Sequence, residues 1–264
     1  MTLKLGKKPA TKDERDLLFA NYLVTTALPT PPSRFGHGSL YRDWKMLGNG
    51  PDNSVEPGYG GAGDCVFAGA GHETMLWNKL AGHSVKIDGK CSISDYSAVT
   101  GYILDDDQTD QGTDVRVGLK YRLNTGIVDT SGSRHKIGAY LKLDPKNWNE
   151  LMTAAYIFGA VGIGFEFPSS AMDQFNAGQI WDVVPGAQIE DGHYIPVVGS
   201  MSSKTKGTAV TWAKRQEFTK AFYEEYNDET WAIVSEESLV NGKNERGFDF
   251  ATLKSDLYQL HNVN

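Results

Sequence analysis

Two cysteines among 264 residues are too few for a disulfide framework. A reducing compartment is the simpler setting for such a chain. Long apolar runs are missing too. No stretch approaches the ~18 consecutive apolar residues of a membrane-spanning helix, so no membrane partner is expected. Lys4, Lys7 and Lys8 are not followed by an apolar core, so no signal peptide is expected. Positive charge is in deficit. With 26 Lys and Arg against 33 Asp and Glu, the net charge is −7, and no nucleic-acid partner is expected. No close Cys/His cluster exists to hold zinc. Gly60-Gly61-Ala62-Gly63 lacks the Lys-Ser/Thr of a phosphate loop, so no cofactor is expected. Asp105-Asp106-Asp107-Gln108-Thr109-Asp110-Gln111-Gly112 has the oxygen-rich look of a calcium loop. Position 12 of that loop is Arg116, not a bidentate Glu, so it reads as a solvated acidic loop and no metal is expected.

What remains is ordinary globular material, 40% hydrophobic and 22% charged, long enough to bury a large core. Residues 1–40 read as an arm. Asp13–Leu23 has the pattern of a short helix, and Pro29, Pro31 and Pro32 force an extended segment after it. Residues 41–264 read as one domain. Gly48–Gly63 is a glycine-rich loop that leads into the strongest helix, Cys65–Leu80, with Asp64 as N-cap and Gly82 as stop. Further helices are expected over Ser94–Val99, over Val115–Leu123 and from Pro145 to Tyr156. The period then changes. Ala160–Phe167, His193–Gly199, Gly207–Trp212 and Thr230–Ser235 read as strands. Helices first and strands later predict an α+β fold, with a helical lobe over 41–157 and a sheet lobe over 158–264.

Two segments carry chemistry. Gly63-Asp64-Cys65-Val66-Phe67-Ala68-Gly69-Ala70 places a cysteine in the first turn of a helix, where free N–H groups and the helix dipole favour a thiolate. Gly192-His193-Tyr194-Ile195-Pro196-Val197-Val198-Gly199 opens a strand with a histidine that can serve as its base. Taken alone, Cys65 reads as a small buried core residue. The Gly-Asp context and the downstream histidine reverse that reading, and a Cys65 pKa below the usual ~8.5 is expected. His72 shares the Cys65 helix but lies about two turns along it, roughly 10 Å away, too far for direct proton transfer. It reads as a buried histidine supporting the site. Cys91, in a turn after Asp88-Gly89-Lys90, reads as structural or merely exposed.

These segments resemble the papain-like cysteine peptidases. That family carries a Gly-Ser-Cys-Trp-Ala-Phe-Ser run at the start of a long helix and a His-Ala-Val-x-x-Val-Gly-Tyr strand. Weaker echoes are Ser92-Ile93-Ser94-Asp95-Tyr96-Ser97, Asp110-Gln111-Gly112 and Asn124-Thr125-Gly126-Ile127. The likeness spans about 45–235. Gly63-Asp64-Cys65 with His72 on the same helix also resembles a little-characterised bacterial and phage branch. The resemblance implies a papain-like fold with a cleft between a helical lobe and an antiparallel sheet lobe, and a catalytic Cys65–His193 dyad. Two family positions differ. Val210 falls where an Asn orients the histidine, and Tyr59 where a Gln donates to the oxyanion. Thr211 and Gln216 are candidate replacements for the orienting residue, and Asn49 or Asn53 for the oxyanion donor. Trp212 resembles the family's tryptophan that shields the histidine. The expected function is thus a weak or narrow thiol hydrolase or cysteine peptidase acting on peptide or protein. The alternative is an inactive papain-fold binding or structural protein, such as a phage virion component, with residues 1–40 contacting an assembly partner. The expected location is cytoplasmic, or virion-associated if phage-encoded.

Overall fold

The computed structural model describes residues 3–24, 26–27, 29–36, 44–55, 61–236, 248–249 and 251–256. Helix α1 (Cys65–Leu80) runs through the middle of the molecule and is buried on nearly every side. Small residues permit this. A Cβ on Gly69 would lie 2.7 Å from the Tyr194 ring, so the glycine lets α1 approach the strand that bears His193. Helix α2 (Gly89–Thr100) begins earlier than its sequence pattern predicts. The Asp88 carboxylate accepts from the Cys91 N–H and caps the helix, which puts Cys91 in its first turn. Helix α3 (Val115–Asn124) is capped in the same way by Asp114.

A small ribbon, β2 (Ile127–Val128) with β3 (Arg134–His135), precedes the main sheet. The main sheet contains β4 (Ile137–Leu143), β5 (Val161–Pro168), β6 (Ile189–Ser200), β7 (Lys206–Thr211), β8 (Lys214–Thr219) and β9 (Asn227–Ser235), in the order β4-β9-β5-β6-β7-β8. Every pairing is antiparallel, and β1 (Phe35–Gly36) adds to the end of β6. Helices α4 (Trp148–Phe158), α5 (Ser169–Asn176) and α6 (Lys220–Tyr226) complete an α+β fold. Strand β4 corrects the expected boundary: it belongs to the sheet although it precedes residue 158. Its strict alternation of buried and half-buried positions is the strand signature that went unread.

Strand alternation divides the core. On β6 and β7, Ile195, Val197 and Ala209 face an aromatic core with α4, α5 and α6. Tyr194, Val198 and Val210 face a second core built on α1, α2 and α3. A buried network ties these layers together. Arg122 on α3 pairs with Glu73 on α1 at 2.6 Å, and the Tyr194 hydroxyl donates to Glu73 at 3.1 Å.

The segment expected to be helical over Asp13–Leu23 forms only one 3-10 turn, Phe19–Tyr22. Tertiary contacts override local propensity there. Asp16 pairs with Arg116, Leu18 bridges to Lys142, and Phe19 and Tyr22 are buried in the aromatic core.

Candidate active site

Cys65 occupies the first position of α1, and both it and His193 are 0% exposed. His193 does not open its strand as expected but lies inside β6, which starts at Ile189 and pairs with β5 through Phe165↔His193. The Tyr194 backbone N–H lies against the Cys65 sulfur, so the cysteine meets the strand at the residue after His193. The His193 Nε2 atom is hydrogen-bonded to Thr211 Oγ1 at 2.8 Å, while Nδ1 is buried with no hydrogen-bond partner. In the tautomer with Nε2–H donating, Nδ1 is the basic nitrogen.

Aromatic rings wall in the imidazole. Trp212 lies flat on it, with centroids 4.4 Å apart and planes 15° apart, and Phe165 and Phe167 meet it edge-on. Trp212 (φ 44°) and Ala213 (φ 61°) form the two-residue turn between β7 and β8. Such a turn demands positive φ at both positions, which Asn-Gly supplies without cost and Trp-Ala does not. The backbone strain sits where it presents the Trp212 ring to His193.

Residues 3–8 lie along the cleft and close it. The N–H groups of Gly6 and Lys7 both donate to the Gly192 carbonyl, at 3.1 and 3.0 Å. Thr113 N–H donates to Gly6 O at 2.8 Å, and Lys8 N–H to Thr113 O at 3.0 Å. Lys4 N–H donates to Asn49 O at 2.9 Å, and Trp212 Nε1–H to Lys4 O at 3.3 Å. A Cβ on Gly6 would run into the Gly63 carbonyl, and one on Gly192 into the Lys7 carbonyl. The segment thus fits between the residue two before Cys65 and the residue before His193.

This closure sets the electrostatics. Burial pushes the Cys65 thiol up to about 12 and the His193 imidazole down to about 3. The expected lowering of the cysteine is overturned in this closed arrangement. A dry site penalises both charged forms, and the single Tyr194 N–H does not offset that.

Several solved structures superpose on this architecture. Xylellain, a cysteine protease from Xylella fastidiosa, matches with a TM-score of 0.64 over 89% of this chain and 98% of its own, at 12% identity. Procathepsin B from Trypanosoma congolense gives 0.60 over 88% and 87%, at 11% identity. Procathepsin L2 from Tenebrio molitor gives 0.55 over 78% and 69%, at 12% identity. The chain has the papain-like cysteine protease fold. No family model matches it, and no curated protein matches it in sequence.

Within the papain-like fold the other expected site residues fall as follows. Thr211 reaches His193, one residue beyond the aligned Val210. Alternation along β7 turns Val210 to the opposite core, so Thr211 and not Val210 meets the imidazole. Gln216 does not serve His193. Its amide donates to Gln179 O and Glu217 O, both at 2.8 Å. Asn53 is exposed, whereas Asn49 is buried beside Lys4. Tyr59 lies outside the described residues. Asp64 takes the N-cap position, but its side chain makes no capping bond. Both carboxylate oxygens are buried without partners, and burial with Asp110 and Asp52 nearby raises its pKa well above the usual range. His72 is buried behind the site, with Nε2 3.1 Å from Lys45 O.

One contributor went unrecognised. Asp110, read as part of a solvated acidic loop, accepts from the Gly63 N–H through both oxygens, at 3.0 and 2.9 Å. Tyr96 OH donates to it at 2.6 Å. Asp110 thereby fixes the backbone two residues before Cys65. Its proximity to Gly112 in the sequence gave no signal of this.

Proposed function

We propose that this chain is a thiol hydrolase or cysteine peptidase that uses Cys65 and His193 and is held closed by residues 3–8. One observation carries the reading: Nε2 of His193 is tethered by Thr211, which leaves Nδ1 buried and unpartnered on a strand that touches Cys65. An unpaired buried ring nitrogen is costly and calls for a role.

With the cleft open, His193 Nδ1 takes the Cys65 proton as the sulfur attacks a substrate carbonyl carbon. The oxyanion accepts from the Cys65 backbone N–H, which is free at the helix start. When the tetrahedral adduct collapses, the imidazolium gives its proton to the leaving amine or alcohol, and a thioester remains on Cys65. His193 then deprotonates a water, which attacks the thioester and releases the acid. Admitting water when residues 3–8 leave relieves the desolvation that holds both groups neutral. Peptides and proteins are the proposed substrates, because the fold is that of proteases such as xylellain.

The test is alkylation of Cys65 by iodoacetamide, followed by peptide mass spectrometry. In Gly6→Ala, labelling faster than a free thiol near neutral pH, lost on adding His193→Ala, supports the reading. The sealed cleft and the raised thiol also suit the alternative, a papain-fold part without turnover, such as a virion component. That reading predicts labelling no faster than a free thiol in both variants.

A further inference from the structure

Strand β6 and helix α1 meet through one large side chain. Where the papain-like strand reads His-Ala, this one reads His193-Tyr194. Where the papain-like helix carries Ser four residues after its cysteine, Gly69 stands. The bulk has moved from the helix to the strand. Tyr194 is 2% exposed, and its ring lies between two glycines. A Cβ on Gly69 of α1 would come within 2.7 Å of the ring, and one on Gly162 of β5 would overlap the hydroxyl.

Tyr194 touches α1 at two points. Its backbone N–H lies against the Cys65 sulfur, and its hydroxyl donates to Glu73 Oε1 at 3.1 Å. Those points are eight residues apart, about 12 Å along the helix axis. The far point is anchored. Glu73 is fully buried, and Arg122 Nη1 of α3 lies 2.6 Å from its other oxygen. Arg122 Nε and Nη2 are buried and donate to no group among the described residues. Glu73 and the Trp77 ring, 5.6 Å away, therefore hold the guanidinium. Burial, with the Glu73 charge nearby, raises the Tyr194 phenol well above its usual range, so it stays a donor.

Alternation along β6 sends Tyr194 towards α1 and the His193 ring to the other face, among Phe165, Phe167 and Trp212. The two residues share a peptide unit, so a strand that slides on α1 carries the imidazole with it. Resting on the hydrolase reading above, we propose that Tyr194 is a positioning residue. Its bond to Glu73 sets where β6 sits on α1, and so the distance between the Cys65 sulfur and His193 Nδ1. A packing role alone predicts lower stability with an unchanged thiol.

The test uses the full chain with Gly6→Ala as parent. Iodoacetamide labelling of Cys65 is followed from about pH 5 to pH 10, together with the urea midpoint. Tyr194→Phe keeps the ring and removes the hydroxyl. A hydrogen bond to a carboxylate is worth roughly tenfold or more. Labelling near pH 7 should fall about tenfold, and the midpoint of the rate profile should move up towards the free-thiol value near 8.5. At high pH, where the thiolate forms unaided, parent and variant should converge. Gly69→Ala presses a methyl group on the same ring from the α1 side and should move the profile the same way. Alanine favours the helix, so this variant decides the matter if Tyr194→Phe does not fold. A lower urea midpoint with an unmoved profile in Tyr194→Phe, or in Gly69→Ala should the first not fold, overturns the assignment. If iodoacetamide labels Cys65 of the parent no faster than a free thiol, the hydrolase reading fails instead. Tyr194 is then judged by the imidazole nitrogen NMR signals of His193 in wild type and in Tyr194→Phe. Displaced signals uphold its hold on the ring, and coincident signals overturn it.

Discussion

The hydrogen bond between His193 and Thr211 is the only one that the imidazole side chain makes among the described residues, so its removal isolates what orientation is worth. A neutral hydrogen bond contributes about 1 kcal/mol, or roughly fivefold in rate. Where a buried carboxylate holds the histidine, losing it costs about 10⁴-fold, so a hydroxyl is the weaker device. In a Gly6→Ala background, Thr211→Val should slow iodoacetamide labelling of Cys65 about five- to tenfold, with Thr211→Ser restoring most of it. An unchanged rate would leave Thr211 without an orienting role. Val210→Asn should give no gain. It buries an amide in the apolar core on the α1 side of the sheet, at a cost of about 1–3 kcal/mol read as a lower urea midpoint. Faster labelling in that variant would show that Val210, not its neighbour, faces the imidazole.

At the scale of the element, the closing segment and β6 are held together by backbone bonds that only glycine permits. The three tightest backbone approaches to the segment are at Gly6, Gly192 and Gly112. Gly6→Ala puts a methyl group into the Gly63 carbonyl and leaves the two large cores untouched. The expected result is release of residues 3–8 with a small change in melting temperature. Limited proteolysis should then cut at Lys4, Lys7 or Lys8 at least tenfold faster than in wild type, as fits locally opened chain. Resistance equal to wild type would mean that the segment is seated by something other than this fit. Lys7→Ala should also loosen it, because Asp228 and Glu229 lose their counter-charge.

At the scale of the whole molecule, burial of ionisable groups makes stability depend on pH. Burial holds His193 at about 3 and His72 at about 4, against about 6.5 in the unfolded chain. Both folded values are depressed, so the stability tied to their neutral forms is complete above pH 6.5. It is lost as pH falls through 4 and then 3. Each histidine withdraws roughly 3–5 kcal/mol between pH 6.5 and its folded value, a large part of a typical 5–15 kcal/mol. Asp64 works in the opposite sense. Its raised pKa stabilises below the unfolded value near 3.9 and is lost as pH rises. The His72 share is read by difference: urea midpoints of wild type and His72→Gln should converge between pH 7 and pH 4. Parallel profiles would contradict it. Among the described residues no helix is long and apolar enough to cross a membrane.

The sequence by itself determined that helices dominate the first part and strands the second, the start of α1 at Cys65, and a downstream strand that carries a histidine. Those features are local: a cap position, a 3.6-residue period, a two-residue period. Strand alternation also made Thr211 and Val210 separable in principle, but only the register Val197↔Ala209 between β6 and β7 decides which of them faces His193. The rest required the tertiary structure. Asp110 reaches Gly63 across 47 residues, and Lys7 reaches Asp228 across 221. Neither contact leaves a local trace in composition or spacing. The acidity of Cys65 was misjudged for the same reason. A helix N-terminus favours a thiolate, but burial under residues 3–8 outweighs it, and burial is a property of the packed molecule alone.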